Sequence, residues 1–388
     1  MPEPASTLAA EPRQPKATEQ LRAANLARVL ELVRHRGPIA RAALTEETGL
    51  NRSTIGAVLA QLSGEGWVSA LDGTAEGPGR PSPVVHVTTD RVILAISPEI
   101  DSLECAVVGI GGDIRARRVI DAEPSLSPQG YLNAAHRVLD DLLADASELT
   151  PIGVGIAVPG LVDSDGVVRN APHLGWREVS LASAAESVFG LPARAANDAA
   201  CGALAERSWG AASSASDFVF VNGGSSGIGA SMFSGGSRIL GANGFAGEWG
   251  HAVINARGPA HEQTLEQLVS KRRMERLLGR HFVDRFETGE LARPEVRAEV
   301  DAQLDVLALG LRSLVNVCNP ERIVLGGYLS ALELARPGWL AGAIRDSALH
   351  PVGAGVDVRT AQLGTNAITI GAAELIAERL PVLEGGHA

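Results

Sequence analysis

Leu26, Val29, Leu30 and Val33 recur at the i, i+3, i+4, i+7 spacing of one amphipathic helix, and Gly37-Pro38 cuts the run short. That start constrains everything up to residue 88. A second short helix is expected over 41–48. Gly49 then supplies a turn residue free to take positive φ, and Leu50 is placed to plug the core between two helices. Asn51 is a natural N-cap for a third helix, whose buried face is Ile55, Val58, Leu59 and Leu62. Gly64 and Gly66 stop it. Segments 67–71 and 84–87 read as two short strands around a turn-rich wing. The expected domain is a winged helix-turn-helix over 21–88, behind a disordered arm over 1–20 that is polar and charged, with no apolar stretch to serve as a signal peptide.

Such an arrangement reads DNA by laying the third helix in the major groove, with its first residues toward the base edges. The residues expected at operator DNA are Arg41, Asn51, Arg52, Ser53, Thr54 and Arg80. The last lies in Gly77-Pro78-Gly79-Arg80-Pro81, which is either a stiff linker or an arm that dips Arg80 into a narrow minor groove. Gly56 and Ala57, also early on the third helix, are small and imply close backbone approach. Charge supports the reading. The chain has a formal net charge of −11, yet residues 22–52 hold six arginines against three glutamates. A protein that coats nucleic acid along its length is excluded, whereas a compact basic module on an acidic chain is not.

No apolar run approaches the roughly 18 to 20 residues of a membrane span. The three cysteines, Cys105, Cys201 and Cys318, are far apart among small or apolar neighbours. They read as buried thiols in a reducing compartment, and the expected location is the cytoplasm.

From residue 89 onward strand-like and helical runs alternate: strands near 92–96, 105–110, 152–158, 218–222, 229–233 and 322–325, and helices near 128–146, 301–318 and 369–379. The economical solution is a mixed α/β domain with a cleft between two lobes. A small lobe is expected over 89–196 with 370–384, and a large lobe carrying the ligand pocket and dimer surface over 197–369.

Several blocks in this half occur together in one order. They are Gly153-Val154-Gly155-Ile156-Ala157-Val158-Pro159-Gly160-Leu161-Val162-Asp163, Ala171-Pro172-His173-Leu174-Gly175-Trp176, Asn197-Asp198-Ala199, Gly244-Phe245-Ala246-Gly247-Glu248-Trp249-Gly250-His251, and Asn319-Pro320 followed by Leu325-Gly326-Gly327. With a winged helix in front of them, they resemble the ROK family (repressors, open reading frames and kinases), and within it the repressor branch of N-acetylglucosamine and xylose repressors. The resemblance runs over about 22–380. It implies a two-lobed, actin-like (ribonuclease H-like) sugar-kinase fold.

The resemblance also implies roles. Asp198 matches the family base that takes the proton from a sugar hydroxyl, kept here as a vestige. Glu248, His251 and Glu266 match sugar-contacting positions, Asn197 adds a contact, and His173 stands where the family usually has a sugar-binding Asn. Carboxylates and imidazoles can pair with adjacent ring hydroxyls. The first phosphate motif of the kinases, Asp-x-Gly-Gly-Thr, falls on Ser97-Pro98-Glu99-Ile100-Asp101. The metal-supporting Asp has become Ser97, and the glycines that let backbone N–H groups approach phosphate have become Glu99 and Ile100. A carboxylate 4 Å from a phosphate charge costs about 4 kcal/mol at an effective dielectric of 20. The second phosphate loop, Gly223-Gly224-Ser225-Ser226-Gly227-Ile228-Gly229, is kept. Tyr328 follows Gly326-Gly327 where a third glycine is common. The family's cysteine cluster after Gly-His is missing from 252–263, so no structural zinc site is expected, and no cofactor.

The expected function is therefore a DNA-binding regulator of carbohydrate metabolism, a repressor controlled by a sugar or sugar phosphate without phosphotransfer. It is expected to act as a homodimer or tetramer on a palindromic operator. Two alternatives remain open: an ATP-dependent hexose kinase, and a DNA-binding regulator that has lost sugar sensing.

Overall fold

The computed structural model describes residues 17–71, 83–123, 126–144, 146–256, 262–279, 282 and 292–380. The chain divides into two units, Met1–Thr88 with Arg379–Ala388, and Thr89–Glu378.

The first unit contains α1 (Ala17–Arg36), β1 (Ile39–Ala40), α2 (Arg41–Thr48), α3 (Arg52–Gly64), β2 (Val68–Leu71) and β3 (Val84–Val87), with the strands in the order β1-β3-β2. Its core is the stripe read from the sequence, Leu26, Val29, Leu30 and Val33, against Leu44, Ile55, Leu59, Leu62 and Trp67. The turn between α2 and α3 has a local cause. Gly49 takes φ 68° and its N–H closes on Thr45 O, while Thr48 Oγ1 donates to Leu44 O. Asn51 then caps α3, its side chain accepting the N–H of Thr54. Thr48 is buried here, and Leu50 is only partly so.

One expectation needs correction. α1 starts at Ala17, inside the segment read as a disordered arm. Glu19 lies in its first turn, where a carboxylate suits the positive end of the helix dipole. Residues 1–16 lie outside the described residues, and so does the 77–81 segment with Arg80.

The second unit is built twice on one plan. Its first sheet contains β4 (Arg91–Pro98), β5 (Ser102–Gly109), β6 (Ile114–Asp121), β7 (Thr150–Val158) and β11 (Ala193–Asn197), in the order β11-β7-β4-β5-β6. The second contains β12 (Phe218–Gly223), β13 (Ile228–Ser234), β14 (Ser237–Arg238), β17 (Arg322–Gly327) and β18 (Asp357–Thr360), in the order β14-β13-β12-β17-β18. In each, three antiparallel strands are followed by two parallel ones added on the other side of the first strand. That duplicated order is the ribonuclease H-like plan of an actin-like fold. Smaller ribbons complete it: β8 (Leu161–Val162), β9 (Val167–Ala171) and β10 (Trp176–Ser180) form one, and β15 (Val253–Ala256) and β16 (Glu262–Thr264) the other.

The helices of this unit are α4 (Pro128–Leu143), α5 (Leu181–Phe189), α6 (Asp198–Trp209), α7 (Leu265–Leu268), α8 (Lys271–Leu278), α9 (Pro294–Cys318), α10 (Tyr328–Ala335), α11 (Trp339–Ser347) and α12 (Ala367–Ala377). Each sheet has its own apolar core, the first around Leu94, Ile96, Leu132 and Ile156, the second around Val221, Leu304, Leu311 and Leu325. α12 lies on β4 and β7 and against α6, which lies on β12 and β13, so this helix pair ties the sheets together. The approach is close enough to require glycine. A Cβ on Gly371 would sit 1.8 Å from Cys201 O, and one on Gly155 would sit 1.8 Å from Ala372 O.

Candidate functional site

In the first unit the arginines sort themselves. Arg22 bonds Gln61 at 2.9 and 2.6 Å, Arg36 lies 3.1 Å from Glu47, Arg28 reaches Glu47 O at 3.5 Å, and Arg34 is buried. Four of the six arginines that made the segment basic therefore hold the unit together. Arg41 and Arg52 differ. Each is the first residue of its helix, each is exposed, and neither side chain has a hydrogen bond or ion pair among the described residues. A cation there opposes the helix macrodipole, so the fold gains nothing from it. Asn51 Oδ1 accepts the Thr54 N–H at 2.8 Å and the Ser53 hydroxyl at 2.6 Å, so this side chain is engaged in the cap.

In the second unit the cleft is assembled from the end of β11, the β12–β13 hairpin, the 244–251 loop and α7. Asn197 ends β11 and caps α6: its Oδ1 accepts N–H groups of Ala199 (2.9 Å) and Ala200 (3.2 Å), and its Nδ2 donates to Gly160 O (3.1 Å). Both ends of that side chain are thus occupied in holding the turn that presents Asp198. Asp198 Oδ1 accepts its neighbour's N–H at 2.8 Å, and Asn222 Nδ2 approaches its Oδ2 at 3.5 Å. Burial raises the Asp198 carboxyl to about 6, and the Glu248 charge adds to the rise.

The glycine loop explains how Glu266 enters. Gly224 N–H closes the hairpin on Gly227 O at 2.9 Å. Gly227 takes φ 139°, and a Cβ there would lie 2.3 Å from Glu266 Oε2. With no side chain in the way, Glu266 Oε2 accepts the Ile228 N–H at 3.3 Å. Its other oxygen lies 3.8 Å from His251 Nε2. Glu248 begins the short 3-10 turn Trp249–His251. Burial raises its carboxyl, His251 lowers it, and Glu266 raises it again. Asp198, Glu248, His251 and Glu266 therefore form one electrostatically coupled group at the glycine loop. His173, exposed on a 3-10 turn (Pro172–Leu174), has no hydrogen bond or ion pair to that group.

Two residues of the cleft had gone unread. Asn222, the last residue before the glycines, orients Asp198; its polar side chain on an otherwise apolar strand was the available signal. Lys271 Nζ reaches Ser225 Oγ at 3.1 Å and Glu275 Oε1 at 3.6 Å, across the 46 positions between it and Ser225, and nothing local announces that.

At the opposite corner, β4 ends at Pro98 and the chain turns over Glu99 to Ser102, with Glu99 N–H bonded to Ser102 O and Tyr131 OH bonded to Glu99 O. Burial raises the Glu99 carboxyl to about 7, with Asp198 adding to the rise and Lys271 opposing it. Glu99 thus shares the field of Asp198. Cys105 and Cys201 are buried in the sheets and α6, Cys318 ends α9, and among the described residues no three His, Cys, Asp or Glu side chains converge on a metal position.

The fold and the cleft define a sugar-kinase-like α/β domain with a coupled group of carboxylates and a histidine at its glycine loop. Residues 95–379 match the ROK family, and the chain belongs to it. It is 25% identical over 365 residues to the xylose repressor of Bacillus subtilis (strain 168), covering 90% of this chain and 93% of that one. It is also 29% identical over 265 residues to a glucokinase of Halalkalibacterium halodurans (strain ATCC BAA-125 / DSM 18197 / FERM 7344 / JCM 9153 / C-125), covering 61% and 79%. Among solved structures, a ROK family transcriptional regulator described as a homolog of the E. coli MLC protein superposes with a TM-score of 0.77 at 21% identity, covering 94% of this chain and 98% of that one. Among the described residues no helix is long and apolar enough to cross a membrane.

Proposed function

We propose that this chain is a sugar-responsive transcriptional repressor: it binds operator DNA through residues 21–88 and a sugar in the cleft, without phosphotransfer. The observation that carries the reading is the union in one chain of a helix-turn-helix bearing two N-terminal arginines, without a partner among the described residues, with a coupled carboxylate and histidine group in the cleft. Arg41 and Arg52 oppose their own helix dipoles, which makes sense where DNA phosphates supply the missing anion. The xylose repressor likeness runs over both units. Asp198, Glu248, His251 and Glu266 offer the alternating acceptors and donors that ring hydroxyls need, with Asn197 positioning Asp198 and His173 free to approach from the 3-10 turn.

In this reading the lobes are 89–196 with 370–384, and 197–369. Sugar closes them and shifts the winged helices of a cytoplasmic homodimer or tetramer out of register with a palindromic operator. The coupling is reciprocal, so operator DNA lowers sugar affinity by the same factor. A second reading, a hexose kinase, draws on Asp198, the glycine loop and the glucokinase likeness. Ser97, Glu99 and Ile100 speak against it, and a coupled ADP-release assay with a sugar panel separates the two.

The direct test is fluorescence anisotropy on DNA upstream of the chain's own gene, at fixed salt, with and without sugars and 6-phosphosugars. DNA binding that one sugar weakens is the expected result. DNA binding indifferent to every sugar would favour a regulator without sugar sensing. Arg52→Gln is expected to weaken DNA binding about tenfold and to reduce the slope of log K against log salt by about one, as the loss of one phosphate contact does.

A further inference from the structure

The cleft is crowded with carboxylates, and its ammonium, Lys271, is already shared by Ser225 and Glu275. One turn further along α8 the sign reverses. A cavity of about 820 Å³ is lined by Gln267, Ser270, Arg272, Arg273, Glu275 and Arg276. Some of its charges cancel: Arg273 Nε lies 3.1 Å from Glu299 Oε1 on α9, and Glu275 is held by Lys271. Arg272 and Arg276 remain. Both are exposed, and neither side chain has a hydrogen bond or ion pair among the described residues. They stand four apart on one helix face, where like charges disfavour the helix. Among the described residues the cavity thus carries two positive charges with no partner, on a chain whose net charge is −11.

Two guanidinium forks suit the oxygens of one phosphate, each offering paired N–H donors in a plane. Two further donors border the same space. Ser270 is the N-cap of α8, yet its hydroxyl makes no cap bond. Gln267 uses its Oε1 to accept the Thr264 N–H, which leaves its amide N–H groups to donate. The pocket is broadly open to solvent, with a volume in the range of small-molecule sites, roughly 300 to 1,000 Å³.

We propose that the α8 cavity is a second ligand site, which takes a phosphate dianion, free or as a small phosphomonoester, through Arg272 and Arg276 with Ser270 and Gln267 as supporting donors. It is separate from the sugar corner but shares its chain segment: Gln267 follows Glu266 on α7, and Arg272 follows Lys271.

The test is isothermal titration of the full chain at constant ionic strength with inorganic phosphate, with glucose 6-phosphate, and with glucose as the uncharged control. Saturable one-to-one binding of phosphate or of the phosphosugar is expected. It should fall at least tenfold in the double variant Arg272→Gln/Arg276→Gln and stay unchanged in Arg137→Gln, an exposed arginine on α4. Matching thermal midpoints show that all three proteins fold. Tenfold tighter glucose 6-phosphate than phosphate identifies a phosphosugar as the ligand; equal affinities identify the phosphate group alone. Absence of saturable binding, or equal binding by wild type and double variant, overturns the proposal, and the second outcome means an adventitious ion only. The repressor reading is judged apart from this, on the response of DNA binding to uncharged sugars.

Discussion

The β4–β5 and β12–β13 hairpins occupy the same place in two sheets of the same strand order, and they have been put to opposite uses. The second keeps its glycines. Gly227 takes a conformation that other residues resist and leaves room for Glu266 to bond the Ile228 N–H. The first has Pro98, Glu99 and Ile100, turns tightly onto Ser102, and sends a carboxylate into the neighbourhood of Asp198. Topology alone would make the two turns equivalent. Side-chain chemistry makes one turn a seat for the Glu266 carboxylate and fills the other with a buried carboxyl whose ionisation is held back.

The sharpest way to break this contrast is Gly227→Ala. The methyl group would meet Glu266 and force a strained φ, so a loss of about 2 to 4 kcal/mol in stability is expected by urea unfolding. Ile100→Gly in the other hairpin should cost under about 1 kcal/mol. Equal costs would mean that the second hairpin is only a turn.

The next effect is a pH dependence. The folded-state value of Glu99 is raised from 4.5 to about 7, and that of Asp198 from 3.8 to about 6. A raised carboxyl favours the protonated folded form. Its contribution is fully present below the unfolded value, near 4, and is lost as pH rises through 6 to 7. Stability should therefore fall by roughly 1 to 3 kcal/mol between pH 5 and 8 on this account, with the two groups titrating as a pair. Glu99→Gln should flatten most of that slope in unfolding curves taken across the range. An unchanged slope would place its origin elsewhere in the chain.

The smallest effect belongs to Lys271→Met. Removing the ammonium deletes the bond to Ser225 and a partner that lowers the Glu99 carboxyl. Stability should change by no more than about 1 kcal/mol, as for a partly exposed charged contact. The midpoint of the Glu99-dependent slope should move to higher pH. A midpoint that stays put would show that Lys271 does not act on the first hairpin.

Local signals in the sequence were read well where their cause was local. The α1 and α3 stripes, the positive φ at Gly49, the Asn51 cap and the strands bordering the glycine loop all depend on residues within a turn or two of one another. The start of α6 at Asp198 was missed because Asp-Ala-Ala-Cys-Gly carries no amphipathic period: α6 is buried nearly all round between the sheets. The strand β6 was missed because it is charged and exposed on both sides, with Arg115, Arg117 and Arg118. The basic character of 22–52 looked like one DNA face, but four of its arginines turned out to be internal fastenings.

What the sequence determined by itself was a set of short-range choices and an ordered series of blocks: helix, turn and cap in the first unit, glycines and carboxylates in the second. Those follow from backbone sterics and side-chain spacing, which act over a few residues. Only the tertiary structure decided which groups meet. Asn222 faces Asp198 from 24 positions away, Lys271 reaches Ser225 from 46, and Glu99, just past β4, and Asp198, at the start of α6, come into one field. Such encounters depend on how sheets stack and helices cross. Burial then sets the strength of the charges, because a carboxylate taken out of water feels its neighbours far more than one left in it.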